Sequence, residues 1–142
     1  MAQQVCIFEE NKPGRLAAIA KILKDAHINM RAINISISQG FGLVKLIVGD
    51  PQKTVDLLRT KGLTAYTRKV IAVLVDDQPG GIHKIAKAFA AREINIEDAF
   101  GFAIKEKEQG IVILDVEEMP QALKTISEAG FTILDDAQLY DL

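Results

Sequence analysis

The sequence predicts an α+β chain built as two tandem strand–helix–strand–strand–helix–strand repeats, each with an antiparallel sheet. Three observations predict it. A set of short matches recurs in the same order along both halves. The apolar pattern switches between strand and helix periodicity in the same sequence twice. Almost no linker separates the halves, since Arg68-Lys69-Val70 runs straight into the next apolar stretch.

Lys12-Pro13-Gly14-Arg15-Leu16 is echoed by Gln78-Pro79-Gly80-Gly81-Ile82 at an offset of 66. The same offset carries Ile19-Ala20-Lys21 onto Ile85-Ala86-Lys87, and Ile28-Asn29-Met30 onto Ile94-Asn95-Ile96. Gly62-Leu63-Thr64 maps onto Gly130-Phe131-Thr132 at 68, so the second half has gained two residues on the way. The repeat sets the boundaries at 1–69 and 70–142.

The elements follow in order. Residues 5–8 and 71–75 are short apolar runs, read as buried strands. Pro13 and Pro79 then sit near a helix start, where a missing N–H costs nothing. Leu16, Ile19, Ala20 and Leu23 keep the spacing of one helical face, as do Ile82, Ile85, Ala86 and Phe89. A second strand covers about 30–38, with Ile33, Ile35 and Ile37 alternating with polar residues, so that one face is expected to be buried. Its counterpart is read from Phe100, Phe102 and Ile104, an offset of 67, which requires a bulge near Glu97-Asp98 to keep the apolar face inward. The other extra residue is assigned to the charged hairpin Lys105-Glu106-Lys107-Glu108-Gln109. Third strands cover about 42–48 and 110–116, and second helices about 52–61 and 119–129, ending at Gly62 and Gly130. Last strands cover about 64–66 and 131–134. This order is the ferredoxin-like βαββαβ pattern, twice.

Composition narrows the function. Apolar residues at 49% and charged residues at 25% describe a globular chain, with no apolar run long enough for a bilayer. The N-terminus shows no secretory leader pattern, and a lone Cys6 fits a reducing cytoplasm. Residues 1–70 carry 11 basic and 5 acidic groups, and residues 71–142 carry 6 and 14, so the halves have opposite sign and should attract. No cysteine or histidine cluster has metal-ligand spacing, and no cofactor is expected. His27 and His83 are read as surface residues, Cys6 as a small buried hydrophobe, and Asp135-Asp136 as a solvated end. Gly40-Phe41-Gly42 lacks the third glycine of a dinucleotide loop. A nucleic-acid platform of this element order would need aromatics on the central strands, and residues 43–48 have none. An acylphosphatase-type hydrolase would need an arginine in its loop, for which Arg15 is the one candidate.

What recurs is a strand, a Pro-Gly turn and a helix start. Free N–H groups at a helix start attract an anion such as a carboxylate, and glycine permits close approach. Asn11 and Asp77 precede the prolines by two residues and offer acceptors to an ammonium group, or else cap the helix. Asn29 and Asn95 open the next strand and are read either as turn residues or as reaching the same pocket.

Through these residues the chain resembles the ACT domain family. The carrying segments are Glu9-Glu10-Asn11-Lys12-Pro13-Gly14-Arg15-Leu16 with Ile28-Asn29-Met30, and Asp76-Asp77-Gln78-Pro79-Gly80-Gly81-Ile82 with Ile94-Asn95-Ile96. The resemblance spans both halves and is to stand-alone tandem ACT proteins without an attached enzyme. It implies a non-enzymatic regulatory protein that binds an amino acid or related small molecule where ACT domains meet, working as a homodimer, with a partner enzyme to report to. In a serine-sensing member, the asparagines matching Asn11 and Asn29 contact the ligand, and Asp77 and Asn95 stand at those positions in the second copy. The expected ligand-binding set is Asn11, Pro13, Gly14, Arg15, Leu16 and Asn29, then Asp77, Gly80, Gly81, Ile82 and Asn95. Asp77 in place of Asn makes the second site more acidic, and Gly81 in place of Arg15 is expected to give it more room. Arg15 makes the first site the expected one for an anion. The rival expectation is a subunit with no ligand, which binds and modulates an enzyme.

Overall fold

A computed structural model describes residues 1–104 and 107–142. The chain divides into two compact units, Gln3–Arg68, and Lys69–Leu142 together with Met1–Ala2.

The first unit holds β1 (Ala2–Glu10), α1 (Arg15–Asp25), β2 (Met30–Ser38), β3 (Phe41–Val48), α2 (Pro51–Thr60) and residues 64–68 of β4 (Thr64–Asp76). Strand β3 lies between β2 and β1 and is antiparallel to both. Residues Val5 and Ile7 of β1 pair with Leu46 and Val44 of β3, and all four face the helices. Ile19 and Leu23 of α1 and Val55 and Leu58 of α2 close over them. Each such fully buried aliphatic side chain is worth roughly 1.5–3 kcal/mol.

The second unit repeats the plan with residues 69–76 of β4, then α3 (Gly81–Ala90), β5 (Ile96–Ala103), β6 (Gln109–Val116), α4 (Met119–Glu128), β7 (Ile133–Leu134) and α5 (Asp136–Tyr140). Its strands run β7-β4-β6-β5, every pair antiparallel, the ferredoxin-like order. Ile71 and Val73 pair with Leu114 and Val112, under Ile85 and Phe89 of α3 and Ile126 of α4.

Four helices end alike. The N–H two residues past the helix C-cap returns to the third-last helical carbonyl in Leu63→Leu58, Phe131→Ile126 and Ile28→Leu23, and one residue later in α3 the same bond forms as Ile94→Phe89. Gly62 and Gly130 occupy the left-handed position in two of these, and His27 and Glu93 occupy it in the others. The short helix α5 was not expected. Asp135 is its N-cap, bonded to the Gln138 amide while Gln138 bonds back, so the acidic pair read as a solvated end begins a capping box.

The isoleucine face of β2 departs from expectation. Ile33 and Ile35 pair with Leu46 and Val44, so they do face the helix side. They nevertheless stay 43% exposed, and Ile37 60%, because β2 is the edge strand and the packed helices cover β1 and β3.

The register of β5 corrects a second expectation. A bulge does interrupt the pairing between Ile96 and Asp98, and an equivalent one interrupts β2 between Met30 and Ala32. Since both copies carry it, the offset stays at 66 along the strand. Ala99, Gly101 and Ala103 therefore take the places of Ile33, Ile35 and Ile37, opposite Leu114, Val112 and Gly110. Phe100 and Phe102 take the places of Asn34 and Ser36, on the other face, opposite Ile113 and Ile111. Ser38 pairs with Phe41, whereas the Ile104 N–H bonds the Gln109 carbonyl, so both additional residues fall in the second hairpin. Lys105 and Glu106 of that hairpin lie outside the described residues.

Phe89 is fully buried at the centre of the second core. Phe89→Ala should lower the unfolding free energy by about 3–5 kcal/mol, read from the urea midpoint, while His83→Ala on the exposed side of the same helix should change it by less than about 0.5 kcal/mol.

Candidate functional site

Each unit carries the same loop between its first strand and first helix. Lys12-Pro13-Gly14-Arg15 forms a type II turn, with Gly14 at φ 88°, ψ −12° and the Arg15 N–H donating to the Lys12 carbonyl at 3.3 Å. Gln78-Pro79-Gly80-Gly81 repeats it, with Gly80 at φ 95°, ψ −9° and a Gly81-to-Gln78 bond of 3.1 Å. The positive φ at the third turn position is what glycine supplies. The prolines lie near the helix starts as expected, as turn residues that directly precede the helix N-caps, Gly14 and Gly80.

Neither N-cap glycine has a side chain to cap with, and no side chain caps either helix. Asn11 and Asp77 are therefore not caps. Their main-chain N–H groups tie the loop to the adjoining hairpin, Asn11 to Gly40 and Asp77 to Glu108, both at 3.0 Å. Their side chains are left exposed. Helix geometry leaves the N–H groups of Leu16 and Ala17, and of Ile82 and His83, without an intrahelical acceptor.

The surroundings of the two loops differ. At the first, Arg15 stands 3.7 Å from Glu9 and 3.9 Å from Glu10, and Lys12 stands 2.9 Å from Glu10. The Lys12 ammonium, by hydrogen bond and by charge, with a smaller contribution from Arg15, holds the Glu10 carboxyl below the usual carboxylate range. An incoming carboxylate would meet Arg15 already flanked by two others. At the second loop there is no arginine. A Cβ on Gly81 would lie 2.3 Å from the Asp76 carbonyl oxygen, so this glycine lets helix and strand touch and gives no extra room.

The room lies on the other flank of α3. Ala99 and Gly101 leave an apolar groove against Ile82, Ile85 and Ala86, a cavity of 240 Å³. It adjoins a hollow of 340 Å³ reaching Asp77 and Ala103 at the loop end. In the first unit Ile33 and Ile35 stand where these small residues stand. The register is the same in both units and only the side chains differ, and the groove is not legible in the sequence because an offset of 67 puts Phe100 and Phe102 there.

Asn29 and Asn95 are not brought to the loops. Asn29 precedes the first residue of β2, while Asn11 bonds Gly40 beyond its last, and nine extended residues span about 30 Å. Asn95 and Asp77 lie at opposite ends of β5 in the same way. No group of acidic, histidine or cysteine side chains that would hold a metal occurs among the described residues. His27 and His83 are exposed, and Cys6 is buried. No helix among them is long and apolar enough to cross a membrane.

The family model described as ACT domain pair matches residues 1–142. No curated protein matches the chain. Among solved structures, the protein BT0572 from Bacteroides thetaiotaomicron is similar at 28% identity and a TM-score of 0.92, over 99% of this chain and 96% of that one. The ligand-free regulatory subunit of aspartate kinase from Thermus thermophilus shares the fold at 20% identity and a TM-score of 0.63, over 90% and 92%.

Gly81→Ala should cost about 1–3 kcal/mol of stability through the forced separation of helix and strand, whereas Arg15→Ala at the matching position should change the urea midpoint little. In a carboxyl titration followed by NMR, Lys12→Ala should move the Glu10 midpoint up toward its ordinary value. Because the native pKa is lowered, whatever this pair adds to stability is present above the ordinary carboxylate pKa and is lost as pH falls through the native one.

Proposed function

The chain belongs to the ACT domain pair family, and from that premise we propose that it is a regulatory, non-catalytic protein that binds an amino acid or a close relative at its Pro-Gly loops and reports it to a partner enzyme. ACT domains are regulatory modules, and the Thermus thermophilus relative by fold is a regulatory subunit of aspartate kinase.

The observation that carries the reading is the groove beside the second loop. It joins an apolar slot to an exposed carboxylate, Asp77, and to a helix start with free N–H groups at Ile82 and His83. An α-amino acid has the matching parts. Its ammonium goes to Asp77, its carboxylate to the amides past Gly80 and Gly81, and its side chain along Ile82 and Ala99. At the first loop, Asn11, Pro13, Gly14 and Leu16 offer a similar cradle, with Arg15 held between Glu9 and Glu10 and with Ile33 and Ile35 occupying the slot. We therefore place the ligand at the second loop. Asn29 and Asn95 lie at the far strand ends from the loops of their own units, so they enter a site only where another ACT unit, of this chain or of a second one, brings them to a loop. A single cysteine favours a cytoplasmic setting. The reading without a ligand, a subunit that only binds an enzyme, is favoured by one observation, the exposed apolar side chains of the first unit.

Thermal unfolding in the presence of each of the twenty amino acids tests this. At 100 times its dissociation constant a ligand adds about 2.7 kcal/mol. One selective upward shift is expected, abolished by Asp77→Ala and kept by Asn11→Ala. No shift with any of them would leave the enzyme-binding subunit as the reading.

A further inference from the structure

We infer that the ligand of the second loop carries a branched aliphatic side chain, that of valine, leucine or isoleucine. This rests on the amino-acid reading above and names the class of amino acid. The lining of the slot is the first support. Ile85, Ala86, Ile96, Val112 and Leu114 form its floor and walls, and Ile82 stands 63% exposed at its rim. Among the described residues no polar side chain lines it. A hydroxyl, amide or charge carried into the slot gives up its water and finds no side chain to replace it. Phe100 and Phe102 turn to the opposite face of β5, so they offer a ring no surface to stack on. The slot and the hollow at the loop share Ile82, Gly101 and Val112. An amino acid held by its head at Asp77 and the helix start therefore points its side chain into the slot.

The first unit supplies a template for the occupant. At the positions of Ala99 and Gly101 it carries Ile33 and Ile35. The same frame of strand, bulge and helix thus accommodates two branched four-carbon side chains in one unit and is lined by small residues in the other. The chain cannot fill the slot from Gly101, where a Cβ would lie 2.9 Å from the Ile111 carbonyl oxygen. A ligand entering from the loop end brings the branched group without that clash. Shorter side chains leave the slot underfilled, and one missing methylene in an apolar pocket costs roughly ten- to two-hundredfold in discrimination. Alanine and glycine therefore fall behind.

Isothermal titration calorimetry of the full chain with each of the twenty amino acids, and with 4-methyl-2-oxopentanoate, the oxo acid matching leucine, tests it. Valine, leucine or isoleucine should bind tightest. Threonine, which has the shape of valine with a hydroxyl, should bind about a hundredfold more weakly than valine. The oxo acid, with no ammonium to offer Asp77, should bind about tenfold or more below leucine. Ala99→Ile installs the residue that the first unit carries at Ile33, and should weaken the best ligand about tenfold or more by overfilling the slot. Ile33→Ala in the first unit should leave the affinity unchanged, with circular dichroism showing an intact fold for both variants. A polar, charged or aromatic amino acid as the tightest ligand, an oxo acid equal to leucine, or an Ala99→Ile variant of unchanged affinity would each overturn this assignment; the first and the last leave the amino-acid reading standing. No binding by any of the twenty overturns both.

Discussion

Strand register is the constraint on which the rest of this structure depends. In each unit the edge strand is locked to its neighbour with a bulge at the same point, Met30/Ala32 in one and Ile96/Asp98 in the other. A one-residue slip would send every side chain of that strand to the opposite face. The register therefore decides that isoleucines line the helix side of β2 and that alanine and glycine line the helix side of β5. From that follow the filled slot in the first unit, the groove in the second, and the unequal surroundings of two loops with the same backbone turn.

The loops show how much a conserved backbone leaves open to side chains. Both turns place glycine in the left-handed region and both tie their first residue to the neighbouring hairpin. Between them the chemistry has moved apart. One loop is a cluster of paired charges, Glu9, Glu10, Lys12 and Arg15, that satisfy each other. The other has an exposed carboxylate beside an apolar slot. On the proposed reading, the first half is the scaffold and the second half the sensor.

The element order, the two Pro-Gly loops and most boundaries were legible in the sequence, because they rest on periodicity and on residues with strong local preferences. The strand at 30–38 was placed to the residue. Exposure of its isoleucines was not legible, because alternation reports which face a side chain takes and not whether a helix covers it. The groove was missed for a related reason. Phe100, Phe102 and Ile104 alternate as a buried face does, and a lone bulge in the second copy seemed needed to accommodate them. Only the paired register shows that both copies bulge. The helix at 136–140 was readable from Asp135 and Gln138, three apart as a capping box requires, and was passed over because two adjacent acids look like a solvated tail.

The closeness of Gly81 to the Asp76 carbonyl has a bearing on history. The two halves share one pattern, yet helix and strand touch at this point in the second, whereas the first accommodates the Cβ of Arg15. With helix and strand in contact there, no side chain fits at that position, and the arginine of the first copy has no single-step route into the second. The difference between the halves is to that extent a ratchet: surface charges and slot-lining residues remain free to drift, but an arginine at the second loop would first have to pry that helix off its strand.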